Sequence, residues 1–233
     1  MRANGVTSFA EFTRVIDEDP AEYERLIASL TINVTKFFRD PDAYACVAQK
    51  VVPHLWSADR PALELWSAGC ATGEEAYSIA LLLARHAVEM NEIERLSRVA
   101  VLGSDIDDQA IQIAVRGKYH ASALANLPAD LYDPYFTPVG GLHSVSRDVR
   151  NIVRFERHDI LDPAVPGRQM DMIFCRNVVI YFTREVQEAL IHRFHDVLLP
   201  GGYLVLGKVE TLVGRTRDMF APVSTRDRVF RKI

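Results

Sequence analysis

The stretch Leu63–Ala84 reads LELWSAGCATGEEAYSIALLLA, and its hydrophobic rhythm changes in the middle. LELWSAG is an apolar run of strand length. Gly69 and Gly73 mark a turn, and GEEAYSIALLLARHAVEM continues as an apolar helix. The succession of strand, turn and helix then recurs. RVAVLGSD predicts a second strand, and DDQAIQIAVRGKY a helix closed by Gly117. IVRFERHD and MDMIFCRN read as a third and a fourth strand. The fourth is apolar nearly throughout, as a strand covered on both faces should be. Thr183 is placed to cap the helix REVQEALIHRFHDVLL and Pro200-Gly201-Gly202 to end it. YLVLGK and DRVFRKI then read as the closing strands. Alternating strands and helices imply an α/β fold: a mostly parallel sheet with helices on both faces.

Ahead of this pattern lies a small helical head. Phe9, Phe12 and Ile16 share one helical face. Asp19 then caps a second helix with Pro20 in its first position and Glu22 in its third, and Tyr23, Leu26, Ile27 and Leu30 recur at helical spacing. Asp40-Pro41 repeats the start signal for a third helix lined by Tyr44, Val47, Val51 and Leu55. Residues 118–151 break the strand–helix alternation with turn chemistry at Pro128, Pro134, Pro138 and Gly140-Gly141.

The net charge of -4 gives no sign of a general nucleic-acid binder, so no nucleic-acid partner is expected. No apolar run approaches the ~20 residues of a membrane span, and MRANGVTSFAEF lacks the apolar core of a signal peptide, so a cytoplasmic protein without membrane insertion is expected. Cys46, Cys70 and Cys175 are widely spaced and form no CxxC pair. They read as buried small hydrophobes in a reducing compartment, and no metal is expected.

Ligands of such sheets bind beyond the C-terminal strand ends. The polar residues there are Gly69, Asp105, Asp159 and Arg176-Asn177, which should converge on one crevice. The first turn is neither GxGxxG nor a P-loop, and Glu74 and Glu75 would repel a phosphate. Two acids instead favour a ligand that is cationic or rich in donors. S-adenosylmethionine has a sulfonium, an ammonium and two ribose hydroxyls, and carboxylates attract or accept from all of these. Asp105 is placed to accept from the ribose. Glu74 reads equally well as a partner of the helix dipole.

NVTKFFRD, WSAGCATGEEAYSIA, GSDIDDQAIQIAVRGKY, FCRNVVIYF and LLPGGYLVLG occur in this order. Over roughly residues 30–210 the chain resembles the CheR family of chemotaxis methyltransferases, which esterify glutamate side chains of bacterial chemoreceptors. The resemblance implies a class I, Rossmann-like methyltransferase fold using S-adenosylmethionine. It implies a short helical segment at 1–32 and a methyltransferase domain at 33–233, with a small β-subdomain inserted at about 118–151. By matching motifs it also implies cofactor contacts from Asn33, Thr35, Arg39, Gly69, Glu75, Asp105, Asp159, Ile160, Arg176 and Asn177. Tyr181 matches the tyrosine beside the transferred methyl group. Arg39 and Tyr181 are the implied catalytic pair, Arg39 holding the substrate carboxylate. The implied product is S-adenosylhomocysteine, and the implied protein substrate is the cytoplasmic helical region of a chemoreceptor.

The chain departs from the family pattern in three places. The helical head is short, and residues 1–30 hold only Arg2, Arg14 and Arg25 as basic residues. Lys208-Val209 stand where the family has His-Ser, while Glu210 is kept. The compact turn TPVGGLHSV argues against a grip on a receptor-tail peptide. A cofactor-binding adaptor without methyl transfer and a small-molecule methyltransferase on the same fold are the competing readings. His192 and His195 read as solvated residues on a polar helix face.

Overall fold

The computed structural model describes residues 6, 8–30, 35–58, 60–162 and 168–233. In the head, α1 (Phe9–Glu18) starts with a reciprocal cap in which the Ser8 hydroxyl accepts from the Glu11 amide and the Glu11 carboxylate accepts from the Ser8 amide. Asp19 accepts from Ala21 at the start of α2 (Pro20–Leu30). Next, α3 (Pro41–Cys46) runs through a widened turn at 47–51 into α4 (Val52–Ser57). Tyr44, Val47, Val51 and Leu55 are all buried, as their spacing predicts.

β1 (Leu63–Ala68) is joined by the turn at 69–73 to α5 (Glu74–Glu89), and β2 (Val99–Asp105) is followed by α6 (Asp108–Arg116). Asp107 caps α6 by accepting from Gln109 and Ala110, and Gly117 ends it with φ +60°. The chain then leaves the main sheet for β3 (Lys118–Tyr119), α7 (Tyr132–Tyr135), β4 (Phe136–Val139), β5 (Leu142–Val145) and α8 (Arg147–Asn151). These three strands form a separate antiparallel sheet in the order β3-β5-β4. Its hairpin turns at Gly140 and Gly141, with φ of +59° and +80°. Glycine takes such values freely, and two-residue hairpin loops need them.

The chain returns through β6 (Val153–Arg157) and β7 (Met170–Cys175), α9 (Arg184–Val197), β8 (Leu198–Leu206), β9 (Phe220–Ser224) and β10 (Val229–Lys232). The main sheet has the order β6-β2-β1-β7-β8-β10-β9. Counted in chain order within this sheet, that is 3-2-1-4-5-7-6. The first five strands are parallel, and β10 is antiparallel to both of its neighbours. The order reverses at β1, so the ends of β1, β2 and β7 border the switch point where α/β sheets bind ligands.

One face of the sheet packs Tyr44, Leu55, Tyr77, Leu81 and Phe174. The other packs Trp66, Ile173, Phe194 and Leu204. Every residue of β7 is buried, which explains its nearly continuous apolar sequence. Among the described residues no helix is long and apolar enough to cross a membrane.

Several local expectations are corrected. Pro200-Gly201-Gly202 does not end α9, which stops at Val197. These residues lie inside β8, opposite a register shift between Met170 and Met172. The glycines permit that irregularity: Gly201 has φ +73°, and a Cβ on Gly202 would lie 2.9 Å from the Leu199 carbonyl oxygen. β9 escapes the sequence reading because it is short and carries Pro222, which an edge strand tolerates. Thr183 sits at the start of α9 without a side-chain cap bond. His195 is not solvated. It is half-buried with its ring edge-on to Phe220 at 5.5 Å, and burial lowers its pKa.

Phe194 is buried and meets Trp66 edge-on at 5.4 Å, tying α9 to the sheet. Phe194→Ala is expected to lower unfolding free energy by about 3–5 kcal/mol in urea titration, the scale of a large buried truncation. A loss below about 1 kcal/mol would contradict this packing.

Candidate functional site

Beyond the ends of β1, β2 and β7 lies a cavity of about 510 Å³. Gly69, Cys70 and Ala71, in the turn at 69–73, line it. Gly69 has φ +78°, and a Cβ there would come within 2.5 Å of Val178 Cγ2, so only glycine lets the 176–178 segment approach this closely. The amides of Gly69 and Cys70 both donate to the Ser104 carbonyl, which binds the turn to β2. Ala71, with φ +48°, donates its amide to Asp105 Oδ2 at 2.8 Å. Asp105 Oδ1 accepts from the Asp107 amide at 3.0 Å. Asp105 is therefore a brace between turn and strand as well as a cavity wall. Each of its oxygens keeps a second lone pair for a ligand hydroxyl.

Glu75, in the first turn of α5, accepts from the Ser67 hydroxyl at 2.8 Å and lies 3.6 Å from the Arg176 guanidinium. Burial raises its pKa, while Arg176, Ser67 and Arg39 oppose the rise. Burial likewise raises the pKa of Asp105, against the pull of backbone amides, those of Asp107 and Ala71 first. Two carboxylates short of compensating charge thus border one space, which suits a cationic, donor-rich ligand. Glu74 does not line the cavity. It accepts from the Thr72 hydroxyl at 2.6 Å and helps to hold the turn.

Arg176, just after β7, has a side chain only 1% exposed. Its guanidinium donates to the Arg39 carbonyl and to Asp40 Oδ2, and it lies over the Tyr44 ring at 5.4 Å. Burial, and after it the Glu75 charge, pushes the Tyr44 phenol well above its ordinary pKa, so the phenol stays protonated. Asn177 follows with φ +61°, a left-handed backbone at a non-glycine residue. Buried Glu210 holds this segment in place: its carboxylate accepts from the amides of Asn177, Ile180 and Gly207. Tyr181 ends the segment at the rim and is 61% exposed.

Thr35, Arg39, Gly69, Glu75, Asp105, Asp159, Ile160, Arg176, Asn177 and Tyr181 all line this one cavity. Asn33 lies outside the described residues. Asp159 is exposed and accepts from the Leu161 amide at 2.8 Å, while Ile160 is buried. Sequence reasoning missed Tyr44, Ile106, Val178 and Phe182 as further wall residues. Tyr44 was assigned to the helix core, which it also serves. Val178 and Phe182 sit in the apolar flanks of a motif read for its polar residues, so adjacency was the available signal. Among the described residues no group of three or more His, Cys, Asp or Glu could hold a metal ion.

The acceptor set fits S-adenosylmethionine. The carboxylates of Glu75 and Asp105 face the cavity, with an apolar side built from Ile106, Ile160, Val178 and Phe182. Comparison with known proteins gives the same direction. The family model described as CheR methyltransferase, SAM binding domain, matches residues 33–229. A chemotaxis protein methyltransferase of Klebsiella aerogenes is 34% identical over 94% of this chain and 75% of its own length. Chemotaxis protein methyltransferase 1 of Pseudomonas aeruginosa is 32% identical over 91% of this chain and 78% of its own. An uncharacterised 104.1 kDa protein of Rhodobacter capsulatus is 35% identical over 100% of this chain, which spans 24% of that protein's length.

Proposed function

The chain belongs to the CheR methyltransferase family, and we propose that it methylates glutamate side chains in the cytoplasmic helical region of a bacterial chemoreceptor. It is an S-adenosylmethionine-dependent methyltransferase with a class I, mostly parallel α/β fold. The observation that carries the proposal is the pairing of two acids, Glu75 and Asp105, with an arginine and a tyrosine, Arg39 and Tyr181, in the lining of one cavity. A cytoplasmic location is part of the proposal. A receptor-tail peptide is not.

When bound, S-adenosylmethionine supplies an electrophilic methyl group on a sulfonium. Glu75 and Asp105 are the acceptors for its ammonium and ribose hydroxyls, and the apolar wall at Ile160 suits its base. Thr35 and Asn177 add polar atoms on the same surface. Arg39 holds the acceptor carboxylate by charge-assisted hydrogen bonds, and Tyr181 donates one hydrogen bond at the rim. A glutamate with a pKa of about 4.3 is already ionised at neutral pH, so the chain's task is positioning and charge stabilisation rather than proton removal. Asn33, which the family resemblance adds to the cofactor contacts, belongs to the same proposal.

The test is transfer of radiolabelled methyl to receptor cytoplasmic fragments. Base-labile label on glutamate is expected, and label that resists base would overturn the ester. Tyr181→Phe should lower turnover by roughly 10²-fold, the scale of losing one preorganised donor, while changing cofactor affinity far less. Full activity in Tyr181→Phe would remove it from the mechanism.

The raised pKa values of Glu75 and Asp105 predict a pH effect of opposite sign on binding and on stability. A folded-state pKa above the unfolded one gives stability that is complete below the unfolded value and lost as pH rises through the folded one. In the empty protein these two groups therefore favour the acidic side. A cation needs them ionised, so S-adenosylmethionine affinity should fall on acidification, beginning above the ordinary carboxylate range of about 4. Calorimetry between pH 8 and 4 checks this, and affinity constant across that range would contradict it.

A further inference from the structure

Asp40 stands at the start of α3, where its carboxylate could accept from the first helical amides, and it makes no such bond. The carboxylate accepts instead from Arg176 Nη2 at 2.8 Å, while Nη1 donates to the Arg39 carbonyl at 2.9 Å. One guanidinium thus holds two successive residues of the turn that leads into α3. The turn needs holding, since Phe38 and Asp40 have φ of +52° and +58°, a region that side chains disfavour. Further back, the Phe38 amide donates to Ser78 Oγ on α5, and the rings of Phe37 and Phe38 are buried. Those ties act on residues 37 and 38, whereas Arg176 acts on 39 and 40.

We propose that Asp40 and Arg176 form a latch that presents Arg39 to the acceptor carboxylate, with Glu75 holding the same guanidinium from the cofactor side. The proposal rests on the reading of Arg39 as the acceptor-side arginine. Arg176 is then a positioning residue. Its side chain is almost wholly buried, and Nη1 and Nη2 donate to the Arg39 carbonyl and to Asp40, so it acts through the turn. Asp40 is the half-exposed and replaceable partner, its side chain 37% exposed. The link joins the two halves of the site: cofactor acids on one side of Arg176, the Arg39 turn on the other.

The test uses Asp40→Asn and Asp40→Glu in the full chain. Three quantities are measured: hydrogen exchange of amides 35–40, S-adenosylmethionine affinity, and turnover on a receptor fragment at saturating cofactor. Asp40→Asn should speed exchange in 35–40 and cut turnover on the order of tenfold or more, with cofactor affinity changed less than about threefold. Asp40→Glu should recover most of the turnover, because it restores the charge that Arg176 meets. Unchanged exchange in Asp40→Asn overturns the latch, as does a turnover loss matched by an equal affinity loss, or no recovery in Asp40→Glu. Should Asp40→Asn not fold, Asp40→Ser removes the same charge in a smaller side chain and carries the same readouts. If the unsubstituted protein leaves receptor fragments unmethylated, the glutamate reading fails, and the exchange measurement alone decides the latch.

Discussion

Three buried or nearly buried charges, Glu75, Asp105 and Arg176, meet at the ends of β1, β2 and β7, and the rest of the site is arranged to tolerate them. An ionised side chain taken from water costs several kcal/mol unless protein groups replace its hydration. Ser67 and Arg176 do so for Glu75, and the amides of Ala71 and Asp107 do so for Asp105. Asp40, the Arg39 carbonyl and the Tyr44 ring do so for Arg176. The compensation is incomplete on the carboxylate side, where burial still raises both pKa values. A cationic ligand completes it, so the electrostatic stress of the empty cavity and the selectivity of the filled one have the same origin.

The same groups explain local geometry that is otherwise costly. Phe38, Asp40, Ala71 and Asn177 all have positive φ without being glycine, and Asp40, Ala71 and Asn177 each hydrogen-bond one of the site's buried carboxyl or guanidinium groups. Left-handed backbone at such residues persists where surrounding contacts over-determine it. Here the contacts are Arg176 for the 39–40 turn, Asp105 for the 69–73 turn and Glu210 for the 177–180 segment. Glu210 thus has a structural role: it ties the end of β8 to the loop after β7.

Much of this was legible in the sequence where the signal is local. Apolar runs of strand length gave β1, β2 and β7, helical spacing gave the Tyr44–Leu55 face, and turn glycines located Gly69, Gly73 and Gly117. The strand-end rule brought Gly69, Asp105, Asp159 and Arg176-Asn177 to one crevice, and the acidic turn with the family resemblance added Glu75. What failed was local chemistry overridden by distant partners. The Asp40-Pro41 signal does start a helix, but the carboxylate leaves the cap for Arg176, 136 positions away. Pro200-Gly201-Gly202 looks like a helix stop and is a strand irregularity, because β8 must adjust its register to β7. The left-handed residues 38, 40, 71 and 177 are not glycine, so residue type does not announce their conformation. The apolar cavity wall was missed because Val178 and Phe182 resemble core residues when read one at a time.

Asp105→Asn removes the charge and keeps one oxygen for one of the two backbone amides that the carboxylate braces, so the fold should persist at some cost in stability while the cavity loses an acceptor. Calorimetric titration of this variant with S-adenosylmethionine is the most direct measurement. A loss of about 1.5–3 kcal/mol, the usual scale for a hydrogen bond to a charged group, is predicted, with the empty variant still folded and melting cooperatively. An unchanged affinity would reduce Asp105 to a brace and contradict the reading of this crevice as an acid-lined nucleoside site.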